Sequence, residues 1–283
     1  MRRCVPPWLL FSVTVGLSSV SCAAETPELD ALLKRFVEEF VAITPGKDPF
    51  PATFAMGSAD GPEEELPVHP VTLSRRFAIA KYEVPQNLYE AVMGRNPSRW
   101  KGPRNSVEMI TWREAVTFCE KVTDLLRQRK LIGPSEAIRL PTEAEWEYCC
   151  RAGTTTSYSF GAESRLPDDP PGKHSILDKY AWSTGNAAGN DPPVGALAAN
   201  SWGLHDMHGY LWEFTADVWE ADYTGAAADG VARKPKADTD RVVIRGGSWK
   251  DPADRLRSSS RRPIGQTAAD DAVGFRCVLT FDR

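Results

Sequence analysis

Two Thr-x-x-Glu tetrads constrain this chain more than anything else in it. Thr111 with Glu114, and Thr142 with Glu145, each read as a capping box. In that device a threonine hydroxyl and a glutamate carboxylate satisfy free backbone N–H groups at a helix start. After Thr111, the residues Ala115, Phe118, Cys119, Val122, Leu125 and Leu126 recur at helical spacing and predict a buried face. After Thr142 a second helix runs through Trp146 to Cys150, with Gly153 just past its end. Over the whole chain, 21 Gly and 22 Pro in 283 residues break it into short elements and many loops. Short β-like runs fall at 71–73, 242–245 and 274–280, while 168–172 and 224–237 read as loops. The pattern predicts helices and short strands joined by many loops.

The N-terminus has another purpose. Arg2 and Arg3 precede an apolar stretch from Val5 to about Val20, and small residues lead to Glu25. This is the layout of a secretory signal peptide over residues 1–24, cleaved after Ala23 or Ala24. The run is short for a membrane span, which needs roughly 20 residues. Ser19-Val20-Ser21-Cys22 also resembles a lipobox with an atypical first residue, so lipidation at Cys22 stays open as the one route to a membrane. An exported, periplasmic or extracellular location follows from this reading. Residues 25–48 form an amphipathic helix and linker, with Leu29, Leu32, Leu33, Phe36, Val37, Phe40 and Val41 on one stripe, packed on the surface of a domain spanning 49–283.

Hydrophobic residues make up 42% and charged residues 25%, which suits a globular core. The net charge of -4, with no basic stripe, argues against nucleic acid as a partner.

Several motifs occur in a fixed order. They include Phe54-Ala55-Met56-Gly57-Ser58, Asn96-Pro97-Ser98, Thr111-Trp112-Arg113-Glu114-Ala115 and Arg139-Leu140-Pro141-Thr142-Glu143-Ala144-Glu145-Trp146. Gly203-Leu204-His205-Asp206-Met207-His208-Gly209, Leu211-Trp212-Glu213-Phe214, Arg245-Gly246-Gly247-Ser248-Trp249 and Gly274-Phe275-Arg276 follow. In this order and spacing the chain resembles the sulfatase-modifying-factor family, that of formylglycine-generating enzyme. The resemblance covers roughly residues 50–283. It implies an α+β fold related to C-type lectins.

It also implies a chemistry that these residues do not supply. The family's oxidases carry two cysteines shortly after Arg-Gly-Gly-Ser, which bind copper(I) and activate oxygen against a substrate thiol. Copper(I) takes soft thiolate ligands. Here the segment from Trp249 to Arg261 holds no cysteine, and Asp251, near the first cysteine position, is a hard oxygen ligand. Copper-dependent formylglycine formation is therefore not expected. Cys119 and Cys277 match the family's structural disulfide positions, which implies a bridge between them. Cys150 matches another such position whose partner is absent, so Cys149 and Cys150 are expected as free, buried thiols.

Asp206, Gly209, Leu211 and Glu213 match one of the family's calcium sites. Two carboxylates and two loop carbonyls are the donors calcium takes. A transition metal at His205-x-x-His208 is the rival. The oxidases bind an extended peptide near Arg-Gly-Gly-Ser, and the matching positions here are Trp212, Ser248, Trp249, Asp251 and Arg261. Trp faces suit apolar or sugar ligands and Arg suits a carboxylate. Burial of Trp212 and Trp249 in the core is the plainer alternative. The glycines of Arg245-Gly246-Gly247-Ser248 serve either a packing turn or a site-lining loop.

Three functions compete at this level. One is a non-catalytic module binding a peptide, protein or small molecule. The second is a formylglycine-generating oxidase or chaperone-like modifier of sulfatases. The third is a maturation enzyme of different chemistry, since some periplasmic relatives in siderophore maturation also lack the cysteines.

Overall fold

A computed structural model describes residue 1, residues 27–187 and residues 191–281. Residues 2–24 of the expected signal peptide, with the expected lipobox at Cys22, lie outside the described residues, as do residues 25 and 26 of the expected helix and linker. The elements follow one another as helix α1 (Pro27–Glu38), strands β1 (Phe40–Ile43), β2 (Thr53–Met56), β3 (His69–Thr72) and β4 (Phe77–Ala80), and helices α2 (Gln86–Met93) and α3 (Trp112–Gln128). Strand β5 (Ala137–Arg139) and helix α4 (Glu143–Arg151) come next, then strands β6 (Trp212–Val218), β7 (Arg241–Arg245), β8 (Arg261–Gly265), β9 (Val273–Gly274) and β10 (Val278–Thr280).

Both capping boxes form. The Thr111 hydroxyl accepts from the Glu114 N–H while the Glu114 carboxylate accepts from the Thr111 N–H at 2.8 Å. Thr142 and Glu145 repeat this at the start of α4. Helix α4 ends as Ala152 and then Gly153 turn to positive φ, a left-handed exit that glycine makes easily. The face predicted for α3 is buried, with Leu125 at its half-buried margin.

Two four-stranded sheets organise the rest, in the orders β1-β4-β10-β5 and β8-β7-β6-β9, beside a β2–β3 pair. The first sheet corrects the expected boundary at residue 49. β1 is an integral strand paired antiparallel with β4, and α1 buries Leu29, Leu33 and Phe36 in the main core. Residues 27–43 are therefore part of the domain. Tyr89 of α2 stacks on Phe118 of α3, and Phe118 meets Phe275 edge to face, so three sequence-distant segments close this core. A second core lies under α4, built on Trp146, Tyr148, Leu204 and Met207. The run expected at 274–280 is two strands, β9 and β10, interrupted where Arg276 turns inward.

Candidate functional site

The sheet β8-β7-β6-β9 has two faces, and the period of two along each strand decides what each presents. In register, Glu213 of β6 lies opposite Arg245 of β7, and Arg245 opposite Arg261 of β8. These three share the face that looks toward α4. The next residues over, Phe214, Ile244 and Arg262, share the other face, together with Trp212 and Ile264.

The α4 face is a closed ionic frame. Arg245 is fully buried and donates to Glu143 at 2.8 Å, Glu147 at 2.5 Å and the Ser258 carbonyl at 2.7 Å. Arg261 donates to Glu143 at 2.7 Å, and its guanidinium lies over Trp219 and Tyr223. Two arginines directly opposite would repel, but Glu143 bridges them. Burial works to raise the Glu143 carboxyl, yet Arg261 and Arg245 hold it below its usual range. The same balance, through Arg151 and Arg245, lowers Glu147. Gly247 at φ +76 docks this loop, since a Cβ there would stand 2.8 Å from both the Arg255 carbonyl and the Leu256 side chain.

The opposite face opens into a cleft of about 290 Å³. Trp212, Ser248, Lys250, Asp251, Arg262 and Asp270 supply its polar lining, and Pro263, Ile264, Ala268, Ala272 and Val273 an apolar wall. Asp251 sits at its centre. One carboxylate oxygen accepts from the Trp212 indole at 2.8 Å, the Ser248 N–H at 3.1 Å and the Ser248 hydroxyl at 2.5 Å. The other oxygen faces the Arg262 guanidinium at 3.9 Å. Arg262 in turn lies 5.4 Å over the Trp212 ring.

Of the five residues expected in the cleft, the structure brings together Trp212, Ser248 and Asp251. Arg261 belongs instead to the ionic frame, and its neighbour Arg262 takes the place expected of it. Trp249 stands beside the cleft, donating to the Asp271 carbonyl at 3.2 Å, with Lys250 5.1 Å above its ring. Lys250, Arg262 and Asp270 were not found from the sequence. Strand parity was the signal for Arg262: once 261–265 is a strand, Arg261 and Arg262 must point to opposite faces. The glycine loop serves both alternatives, as a packing turn that ends in the site-lining Ser248.

The expected calcium set is only partly assembled. Asp206 is buried, with Oδ2 accepting from the Gly195 N–H at 2.7 Å and Oδ1 unpartnered among the described residues. Glu83 is buried beside it with one unpartnered oxygen, and burial, then Glu213 and Asp206, push its carboxyl up. Glu213, however, is spent: Arg276 grips both its oxygens at 2.7 Å and the Trp146 indole donates to one of them. A guanidinium already neutralises the carboxylate that calcium would need. Among the described residues no three His, Cys, Asp or Glu side chains are grouped to hold a metal. The side chains present do not fit calcium as the resemblance implies it. His205 and His208 are also separately committed, to the Leu197 carbonyl and to the Leu256 carbonyl.

The four described cysteines are buried thiols away from the cleft. Cys119 and Cys277 face each other with sulfurs 3.9 Å apart, unbonded in this structure, where the resemblance implies a bridge. Burial pushes the Cys149 thiol well up and Cys150 up to about 12, which keeps both protonated and unreactive.

A family model for the sulfatase-modifying factor enzyme 1-like domain matches residues 33–281. The chain belongs to the sulfatase-modifying factor family. The match begins inside α1, in keeping with the integral place of that helix. The formylglycine-generating enzyme of Mycobacterium tuberculosis is 34% identical over 151 residues, half of each chain, so the chain matches about half the length of that relative. The inactive C-alpha-formylglycine-generating enzyme 2 of Bos taurus is 28% identical over 278 residues, covering 80% of this chain and 84% of that one. Among solved structures, PvdO from Pseudomonas aeruginosa superimposes with a TM-score of 0.69 at 27% identity, over 86% of this chain and 94% of that one. The family fold is thus shared along nearly the whole described chain.

Proposed function

We propose that this family member is an exported, non-catalytic binding protein whose ligand, a peptide or small molecule, enters the cleft around Asp251. One observation carries the reading. Asp251 stands near the position where the resemblance places the first of the paired cysteines, and three hydrogen bonds from Trp212 and Ser248 tie it into the cleft floor. None of the residues lining the cleft is a cysteine, so no thiolate pair there can take copper(I). A relative named as inactive that matches four-fifths of the chain supports the same reading. In an oxidising compartment, Cys119 and Cys277 close into a bridge, which their facing positions support.

The test is mass spectrometry of a peptide bearing Cys-x-Pro-x-Arg after incubation with the purified protein, copper, oxygen and reductant, beside an active oxidase. An unchanged peptide cysteine is the expected outcome. Its conversion to formylglycine would sink the proposal and establish the oxidase reading.

A further inference from the structure

We infer that the cleft takes a zwitterionic α-amino acid with an apolar side chain, its carboxylate on Arg262 and its ammonium on Asp251. The inference rests on the cleft being a binding site.

The polar groups left over in the cleft motivate it. Among the described residues Arg262 has no partner but the distant Asp251 oxygen and the Trp212 ring, and half of its side chain is exposed. Its planar fork of donors is matched to a carboxylate. Asp251 has one oxygen saturated by Trp212 and Ser248, which fixes its plane, and one oxygen turned to Arg262 without a hydrogen bond. A fixed acceptor and a free donor fork therefore stand side by side, 3.9 Å apart. In an α-amino acid the ammonium and carboxylate hang two bonds apart on one carbon. Such a ligand replaces one long ion pair with two short, charge-assisted contacts.

Charge balance points the same way. The charged lining is Lys250 and Arg262 against Asp251 and Asp270, and Asp271 stands just outside, held by Lys250 and Arg99. The four lining charges cancel, so the cleft favours a ligand that is dipolar yet neutral overall. A dianion meets Asp251 and Asp270, and a polyamine meets Lys250 and Arg262. The apolar wall of Pro263, Ile264, Ala268, Ala272 and Val273 leaves room for an aliphatic side chain beside the charged pair. A volume of about 290 Å³ is at the low end of ligand pockets, roughly 300–1,000 Å³, which suits one amino acid better than an extended peptide.

The experiment follows the Trp212 indole N–H by NMR, assigned with Trp212→Phe, because it is bonded to Asp251 and reports on the cleft whatever occupies it. L-leucine is titrated against leucinamide, which lacks the carboxylate, and N-acetyl-leucine, which lacks the ammonium. The expected result is a saturable shift with L-leucine, and binding weaker by at least roughly tenfold for each analogue and for Arg262→Gln. Equal binding of all three compounds, or no loss in Arg262→Gln, overturns the inference. A Trp212 signal that answers to peptides but to no free amino acid also overturns it and leaves the binding cleft standing. A signal that answers to neither removes the cleft reading as well.

Discussion

Arg261 and Arg262 are neighbours in sequence and opposites in the fold. Arg261 is buried, bound to Glu143 and laid over two aromatic rings, while Arg262 is half exposed with one long contact to Asp251. The sheet between them separates a face on which Glu213, Arg245 and Arg261 are each paired with an opposite charge from a face on which charges are left over. On the α4 side, Arg245 with Glu143 and Glu147 joins the helix to the sheet. Such a frame adds little over an apolar core of the same shape, but removing one member strands the others without water. On the cleft side, Asp251 and Arg262 keep their charge near solvent, where an incoming ligand can use it. Commitment to the fold and availability for binding are thus divided by strand parity.

The comparison breaks most readily at Arg245. Arg245→Ala takes one partner from each of the buried carboxylates Glu143 and Glu147, which keep Arg261 and Arg151, and is expected to cost about 3 kcal/mol, read as the shift in a urea unfolding curve. A loss under 1 kcal/mol would show that the frame is hydrated and not closed.

Oxidation of Cys119 and Cys277 ranks next. The pair is separated by 158 positions, and chain-entropy reasoning gives a bridge across so long a loop about 3–5 kcal/mol. Intact mass of protein from an oxidising compartment should show the loss of two hydrogens, and the melting temperature should fall when reductant is added. Two free thiols in that preparation would remove the bridge.

His208 sets a pH dependence on the closed side, beside α4. Its ring donates from Nδ1 to the Leu256 carbonyl and accepts at Nε2 from the Ser159 N–H, an arrangement that requires the neutral ring. Burial pushes its pKa down to about 4. The unfolded chain binds the proton below its ordinary value near 6.5, and the folded chain does not. This contribution is fully present above about pH 6.5 and is lost as the pH falls toward 4. Between pH 7 and pH 5 the loss is about 2 kcal/mol. Urea midpoints at the two pH values check it, and His208→Gln should flatten the difference by about that amount.

The smallest expected effect is the most telling. Arg262→Gln should move stability by no more than about 0.5 kcal/mol, as for an exposed side chain with a weak ion pair. Arg261→Gln, one position earlier, should cost several times more because it leaves the Glu143 carboxylate short of a partner. Equal losses in the two variants would mean that the sheet does not divide them.

Much of this was legible in the residues. The two capping boxes gave α3 and α4 with their starting residues, because a cap is a local hydrogen-bond pattern written within four positions. The core face of α3 followed from spacing alone. Trp212, Ser248 and Asp251 were placed by an ordered set of motifs. What escaped were short strands such as β1, β6 and β8, whose four to seven residues carry too little period to stand out. Missing β8 cost the site its arginine, since Arg261 and Arg262 cannot be told apart without knowing which face each strand position meets.

The sequence by itself determined the family, the helices that cap themselves and the absence of cysteine from Trp249 to Arg261. Those are properties of neighbours along the chain. Only the tertiary structure decided which charges are spent and which are free. Glu213, expected to bind calcium, is held by Arg276, and Arg262 faces the cleft in place of Arg261. A side chain's partner depends on strand register and on segments 60 or more positions away, and no local pattern carries that information.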